Sequence, residues 1–60
     1  MIYREYVGFI DGGCDTGFGL DEKKALRWLK SRRRIGMDVA VKLETYNEEG
    51  TILRAETQDW

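Results

Sequence analysis

The chain has 60 residues, with ten Lys plus Arg against eleven Asp plus Glu, one Cys, seven Gly, and neither His nor Pro. That inventory excludes zinc fingers, haem ligation and any Cys–His or Ser–His–Asp machinery, and a single Cys cannot build a disulfide framework. A hydrophobic fraction of 42% argues against disorder, and no apolar stretch approaches the ~20 residues of a membrane span.

The net charge of −1 conceals a strong segregation. Residues 1–22 and residues 35–60 each sum to −4, while residues 23–34 carry seven cations and no acid. There is no repeat and no linker, so one domain over residues 1–60 is expected. The N-terminal residues lack a signal-peptide layout, which places the expected location in the cytoplasm.

Residues 2–10 are rich in β-branched and aromatic types and predict a strand. Tyr3, Val7 and Phe9 share one face, and Ile2, Tyr6 and Ile10 the other. Both faces are therefore partly apolar. Residues 11–19, with glycines at 12, 13, 17 and 19, predict a loop.

A helix is expected over residues 21–35. Asp21 suits the N-cap, Leu20 is placed to staple the first turn, and Gly36 stands where a left-handed C-terminal residue belongs. Glu22 at the start and Arg32, Arg33 and Arg34 at the end agree with the helix macrodipole. At 100° per residue Ala25, Leu26, Trp28, Leu29 and Ile35 form the apolar face. Lys23, Arg27, Lys30 and Arg34 form a basic ridge opposite, flanked by Lys24, Arg32 and Arg33.

Residues 37–46 alternate, with Met37, Val39, Val41 and Leu43 on one side, and predict a half-buried strand. Residues 47–50 (Asn-Glu-Glu-Gly) predict a type I turn with Gly50 left-handed, returning the chain as a strand over residues 51–59. Counting outward from an Asn47–Thr51 pair sets Leu43 opposite Ala55, Glu44 opposite Arg54 and Lys42 opposite Glu56. The expected architecture is therefore α+β: a β-α-β-β unit with a three-stranded sheet and one helix on one face. A split βαβ with strand order 1-3-2 is favoured, with 1-2-3 as the alternative. One helix cannot cover both sheet faces, which leaves Tyr46, Ile52, Trp60 and Tyr6 as an expected contact surface.

The Gly-rich segment follows a strand and precedes a helix, the position of phosphate-binding loops. It matches neither G-x-G-x-x-G nor the Walker pattern, and Asp15 and Asp21 oppose an anion. Asp11 and Asp15 are expected to be solvated loop acids, and Cys14 an exposed, inert thiol. Residues 6–13 resemble the motif of the LAGLIDADG homing endonucleases, but Gly13 stands where that family has its metal-binding acid. Residues 10–14, with Gly17 and Gly19, resemble the first-strand motif of ribonuclease H, whose Asp is a metal ligand. That fold continues into a second strand and needs further carboxylates. Each resemblance covers about ten residues, and neither is taken as membership.

The sequence thus predicts a non-enzymatic protein-binding adaptor or inhibitor, of the kind that phages and mobile elements encode in short chains. The expected partner-binding residues are Lys23, Arg27, Lys30 and Arg34 on the ridge, with Tyr46, Ile52 and Trp60 on the sheet face. No catalytic residue, cofactor or metal is expected. A larger protein is the expected partner, with nucleic acid on the helix as the alternative and no membrane contact. Self-association is open as a second means of adding stability to a marginal core.

Overall fold

The computed structural model describes residues 2–60. Strand β1 (Tyr3–Ile10) ends in a turn closed by Gly13 N–H donating to Ile10 O at 2.9 Å, with Gly12 at φ 74°. The expected loop then departs from the sequence reading. Thr16–Gly17 forms a two-residue strand, β2, antiparallel to β1, with Val7 opposite Gly17 and Gly8 opposite Thr16. The pairing is extended by Phe18 N–H to Tyr6 O and Tyr6 N–H to Gly19 O, both 2.8 Å.

Helix α1 (Glu22–Arg34) starts as its sequence predicts, with the Asp21 carboxylate accepting from Lys24 N–H at 3.0 Å. It ends in a Schellman motif: Gly36 N–H donates to Arg33 O and Met37 N–H to Arg32 O, with Gly36 at φ 82°. Ala25 and Leu29 are fully buried, with Trp28 packed beside them. Two expectations fail at the helix ends. Ile35 is the C-cap and is 70% exposed, because it sits where the helical wheel no longer sets direction. Leu20 is 73% exposed and staples nothing; Phe18 enters the core in its place.

Strand β3 (Val39–Tyr46) pairs with β1 over its whole length, from Tyr3 opposite Tyr46 to Ile10 opposite Val39. Strand β4 (Ile52–Thr57) completes a fully antiparallel sheet of order β2-β1-β3-β4. The sheet has four strands where three were expected, and the long strands take the 1-2-3 order instead of the split βαβ order. The cause is β2. Its return adds one reversal before the helix, so α1 carries the chain back to the Ile10 end and β3 enters beside β1 running the other way. No parallel crossover forms, and the handedness rule for crossovers has nothing to act on.

The hairpin turn matches its sequence reading. Asn47 N–H donates to Thr51 O, Gly50 N–H to Asn47 O, and Asn47 Oδ1 accepts from the N–H groups of Glu49 and Thr51. The register beyond it does not. Tyr46 faces Ile52, but Thr45 faces Arg54, so Leu53 is an extra residue in a β-bulge. Everything past it moves by one: Glu44 faces Ala55 and Lys42 faces Thr57. The expected Glu44–Arg54 and Lys42–Glu56 pairs are therefore absent, and Arg54 pairs with Glu56 of its own strand at 2.7 Å.

Alternation then defines two faces. Tyr6, Gly8 and Ile10 of β1 and Val39, Val41 and Leu43 of β3 look toward α1. The core there consists of Phe18, Ala25, Leu29, Val39 and Val41, with Tyr6, Ile10, Trp28, Met37 and Trp60 packed around it. Tyr3, Glu5, Val7, Phe9, Lys42, Glu44, Tyr46 and Ile52 occupy the face with no helix.

Candidate interaction surfaces

All four ridge residues, Lys23, Arg27, Lys30 and Arg34, are exposed on α1. At 1.5 Å rise per residue they span about 16 Å. Among the described residues none of the four is ion-paired. Their basic neighbours behave differently. Arg32 lies over the Trp28 ring at 5.9 Å, a cation–π contact that ties it to the core. Arg33 donates to the backbone oxygen of Trp60 at 2.6 Å.

That last contact corrects one expected site residue. Trp60 does not join Tyr46 and Ile52. It folds over the helix side, its ring 5.7 Å from that of Tyr6, and both pack against the core. The apolar bulk of an indole and a cation from α1 bring the end of the chain to this side, and Tyr6 leaves the open face with it.

The open face is built from adjacent strands. Tyr3 and Ile52 are each more than half exposed on either side of the half-buried Tyr46, and Phe9 lies half-buried at the other end of the face. Lys42 reaches over the Phe9 ring with Nζ at 5.0 Å from its centre. A cleft of about 340 Å³ opens where Tyr3, Arg4 and Glu5 meet Tyr46 and the hairpin turn.

Beside this cleft lies a group that the sequence reading missed. Glu5 and Glu44 are directly opposed across β1 and β3, and Glu44 is buried, accepting a hydrogen bond from the Tyr46 hydroxyl. The clue was present as the i, i+2 spacing of Glu44 and Tyr46 on one strand face. It was masked by the expected pairing of Glu44 with Arg54. The Tyr46 hydroxyl is pushed up to about 12 because its hydrogen bond to the Glu44 carboxylate holds the proton on the phenol, with burial and the charges of Glu44 and Glu5 adding to the effect.

This has a consequence for stability. In the unfolded chain Tyr46 ionises near pH 10, and in the folded chain only near 12. Between those values the unfolded state sheds the proton that the native state keeps. The stabilisation is therefore complete below pH 10 and lost as pH rises toward 12. Denaturant unfolding across that range is expected to show a decline for the native sequence that is shallower for Tyr46→Phe. Equal slopes would remove the assignment.

At the other end of the sheet Asp11, Asp15 and Asp38 line a cavity of about 380 Å³. Asp11 and Asp15 are exposed, as expected, and Cys14 is an exposed free thiol. The strand β2 falls where the ribonuclease H pattern also has one. However, no three His, Cys, Asp or Glu among the described residues are grouped to hold a metal. Residues 6–10, where the LAGLIDADG motif would be helical, lie in β1. No described helix is long and apolar enough to cross a membrane. No family model, curated protein or solved structure significantly matches the chain.

Proposed function

We propose that this chain is a non-catalytic protein-binding module that acts as an adaptor, gripping a larger protein with its open sheet face. The observation that carries this is the half-exposed Tyr3 and Ile52 on either side of Tyr46, on a face no helix covers. A row of apolar and aromatic side chains across three neighbouring strands of so small a fold is the usual mark of a contact surface.

The ridge supports an adaptor over a simple blocker. It lies across the layer from the open face, and even the smallest extent of the fold is 16 Å. That is about twice the ~8 Å Debye length at physiological salt. Cations that far away contribute little to steering a partner onto the sheet face, so they serve a second, acidic surface.

The test is affinity capture from the native host's lysate, with nuclease, using the native chain and the double variant Tyr3→Ser/Ile52→Ser. Both side chains are more than half exposed, so the variant keeps its fold. Loss of the captured protein is expected. Undiminished capture by the variant would reject the open face as the docking surface.

Nucleic acid on the ridge is the second reading, favoured by four exposed cations with no ion-pair partner among the described residues. It predicts binding to random duplex that weakens steeply with salt and disappears in Arg27→Glu/Lys30→Glu/Arg34→Glu. The net charge of −1 weighs against it, since dedicated binders carry a strongly positive domain.

A further inference from the structure

We propose that β4 is a homodimer edge: two copies join β4 to β4 antiparallel about a two-fold axis at Ala55, making one sheet that runs through both.

The free edge is the first ground. All six residues of β4 are exposed, and β4 ends the sheet. Natural edges of this length are blunted by charged side chains, Lys above all, by Pro, by a bulge or by a covering element. Here β4 has neither Lys nor Pro, and its bulge at Leu53 lies at the hairpin end, leaving Arg54–Thr57 regular. The opposite edge, β2, is only two residues long.

Backbone direction is the second ground. Gln58 N–H donates to Val41 O at 2.8 Å, continuing the ladder past Thr57. Hydrogen-bonded pairs alternate in an antiparallel ladder. Arg54 and Glu56 therefore turn their backbone groups inward to β3, and Ala55 and Thr57 turn theirs outward. A second β4 can bond only with outward groups facing outward groups. That permits two-fold registers centred on a residue and forbids those centred between residues.

Charge then selects among the permitted registers. Centred on Arg54, two arginines oppose each other; centred on Glu56, two glutamates do. Centred on Ala55, Arg54 of each copy faces Glu56 of the other, twice by symmetry. Opposite charges directly across strands stabilise and like charges destabilise. The sequence Arg54-Ala55-Glu56 is thus complementary to itself in one register alone, as an isologous interface requires. Such an axis stands perpendicular to the sheet, so both helices fall on one side and the two open faces merge on the other. The dimer does not depend on the reading of the open face as a docking surface.

Sedimentation equilibrium from low-micromolar to submillimolar concentration tests this, with circular dichroism reporting the fold of each variant. The native chain is expected to dimerise. Arg54→Glu alone and Glu56→Arg alone each turn two attractive pairs into repulsive ones, weakening association roughly tenfold or more. An equimolar mixture of the two single variants restores both pairs and is expected to form a heterodimer, resolved by native mass spectrometry. The double variant Arg54→Glu/Glu56→Arg is expected to dimerise like the native chain while keeping the ion pair within the strand. Tyr3→Ser/Ile52→Ser is expected to remain dimeric. A native chain monomeric throughout, single variants that dimerise normally, or a mixture that does not recover would each overturn the proposal. Loss of the dimer in Tyr3→Ser/Ile52→Ser with the charge variants unaffected would place the contact on the open face and overturn it too.

Discussion

Replacing Gly8 by alanine is expected to cost this fold about 1–3 kcal/mol, the usual range for overpacking a filled core. A Cβ at Gly8 would stand 2.7 Å from Cζ3 and 2.8 Å from Cη2 of Trp28, and 3.0 Å from Cε2 of Phe18. Atoms do not approach so closely, so the indole must move. It has little room, because its ring is already packed on Phe18 at 5.5 Å. One effect acts in the opposite direction: glycine inside a strand is unfavourable by roughly 0.5–1 kcal/mol, because the unfolded chain has more backbone entropy to lose with glycine than with alanine. The steric term wins because both ring atoms and the Phe18 edge are met at once. A core in a domain this small rarely supplies more than ~3–5 kcal/mol, so the loss is a large share of the whole. Urea unfolding gives the number, and a double-mutant cycle identifies the cause. With Trp28→Leu as background, Gly8→Ala is expected to be cheaper by at least ~1 kcal/mol, a coupling typical of residues in contact. An equal cost in both backgrounds would show that Trp28 is not what Gly8 makes room for.

Gly8 also illustrates what a sequence withholds. The helix was legible because its signals are local: Asp21, Gly36 and three arginines at one end each act within one turn of their own position. The Asn47–Gly50 turn was legible for the same reason, but which face of β1 meets the helix was not, because both of its faces are partly apolar and Tyr6 turned to the core instead of the open side. Strand order was not. It depends on β2, whose two residues are held by backbone groups that any sequence possesses and which leave no period to detect. The register of β4 was hidden differently. Ile52-Leu53-Arg54-Ala55-Glu56-Thr57 has no apolar alternation to oppose a slip, so the bulge at Leu53 meets no resistance from burial. The charge pairs that suggested the other register contribute only ~0.2–1 kcal/mol each, too little to set it.

The interaction surfaces follow the same division. The ridge was readable because exposure of a helix face follows from the burial of the opposite one, and Ala25 and Leu29 are buried. The open face was readable in Ile52 and Tyr46, which their strands present outward. Trp60 was not, since no period governs a residue beyond the last strand. Its place is set by Tyr6 and Arg33, distant in sequence. The Glu44–Tyr46 pair was obscured because a single-residue shift reassigned the partner of Glu44.

Two apolar residues of the Gly-rich segment now separate a connector from a structural return. Phe18→Ala is expected to remove about 3–5 kcal/mol, the range for truncating a buried aromatic. Leu20→Ala is expected to stay within ~0.5 kcal/mol, as for ordinary surface changes. Phe18 is 9% exposed and Leu20 73%. The difference arises from the backbone: Phe18 N–H donates to Tyr6 O, and Phe18 O accepts from Asp21 N–H at 3.1 Å. These bonds fix the ring over Trp28 and against the core, while Leu20 projects from the turn that leads into α1. With so little stability to spend, Phe18→Ala is expected to be largely unfolded in buffer and to refold in a trimethylamine oxide titration, which favours burial. The midpoint of that titration, set beside urea unfolding of Leu20→Ala, ranks the two residues. A passive connector would tolerate the loss of either side chain, and the staple role expected of Leu20 would reverse the order. Equal, small effects would remove β2 as the element that turns the chain, and with it the reason that β3 lies antiparallel beside β1.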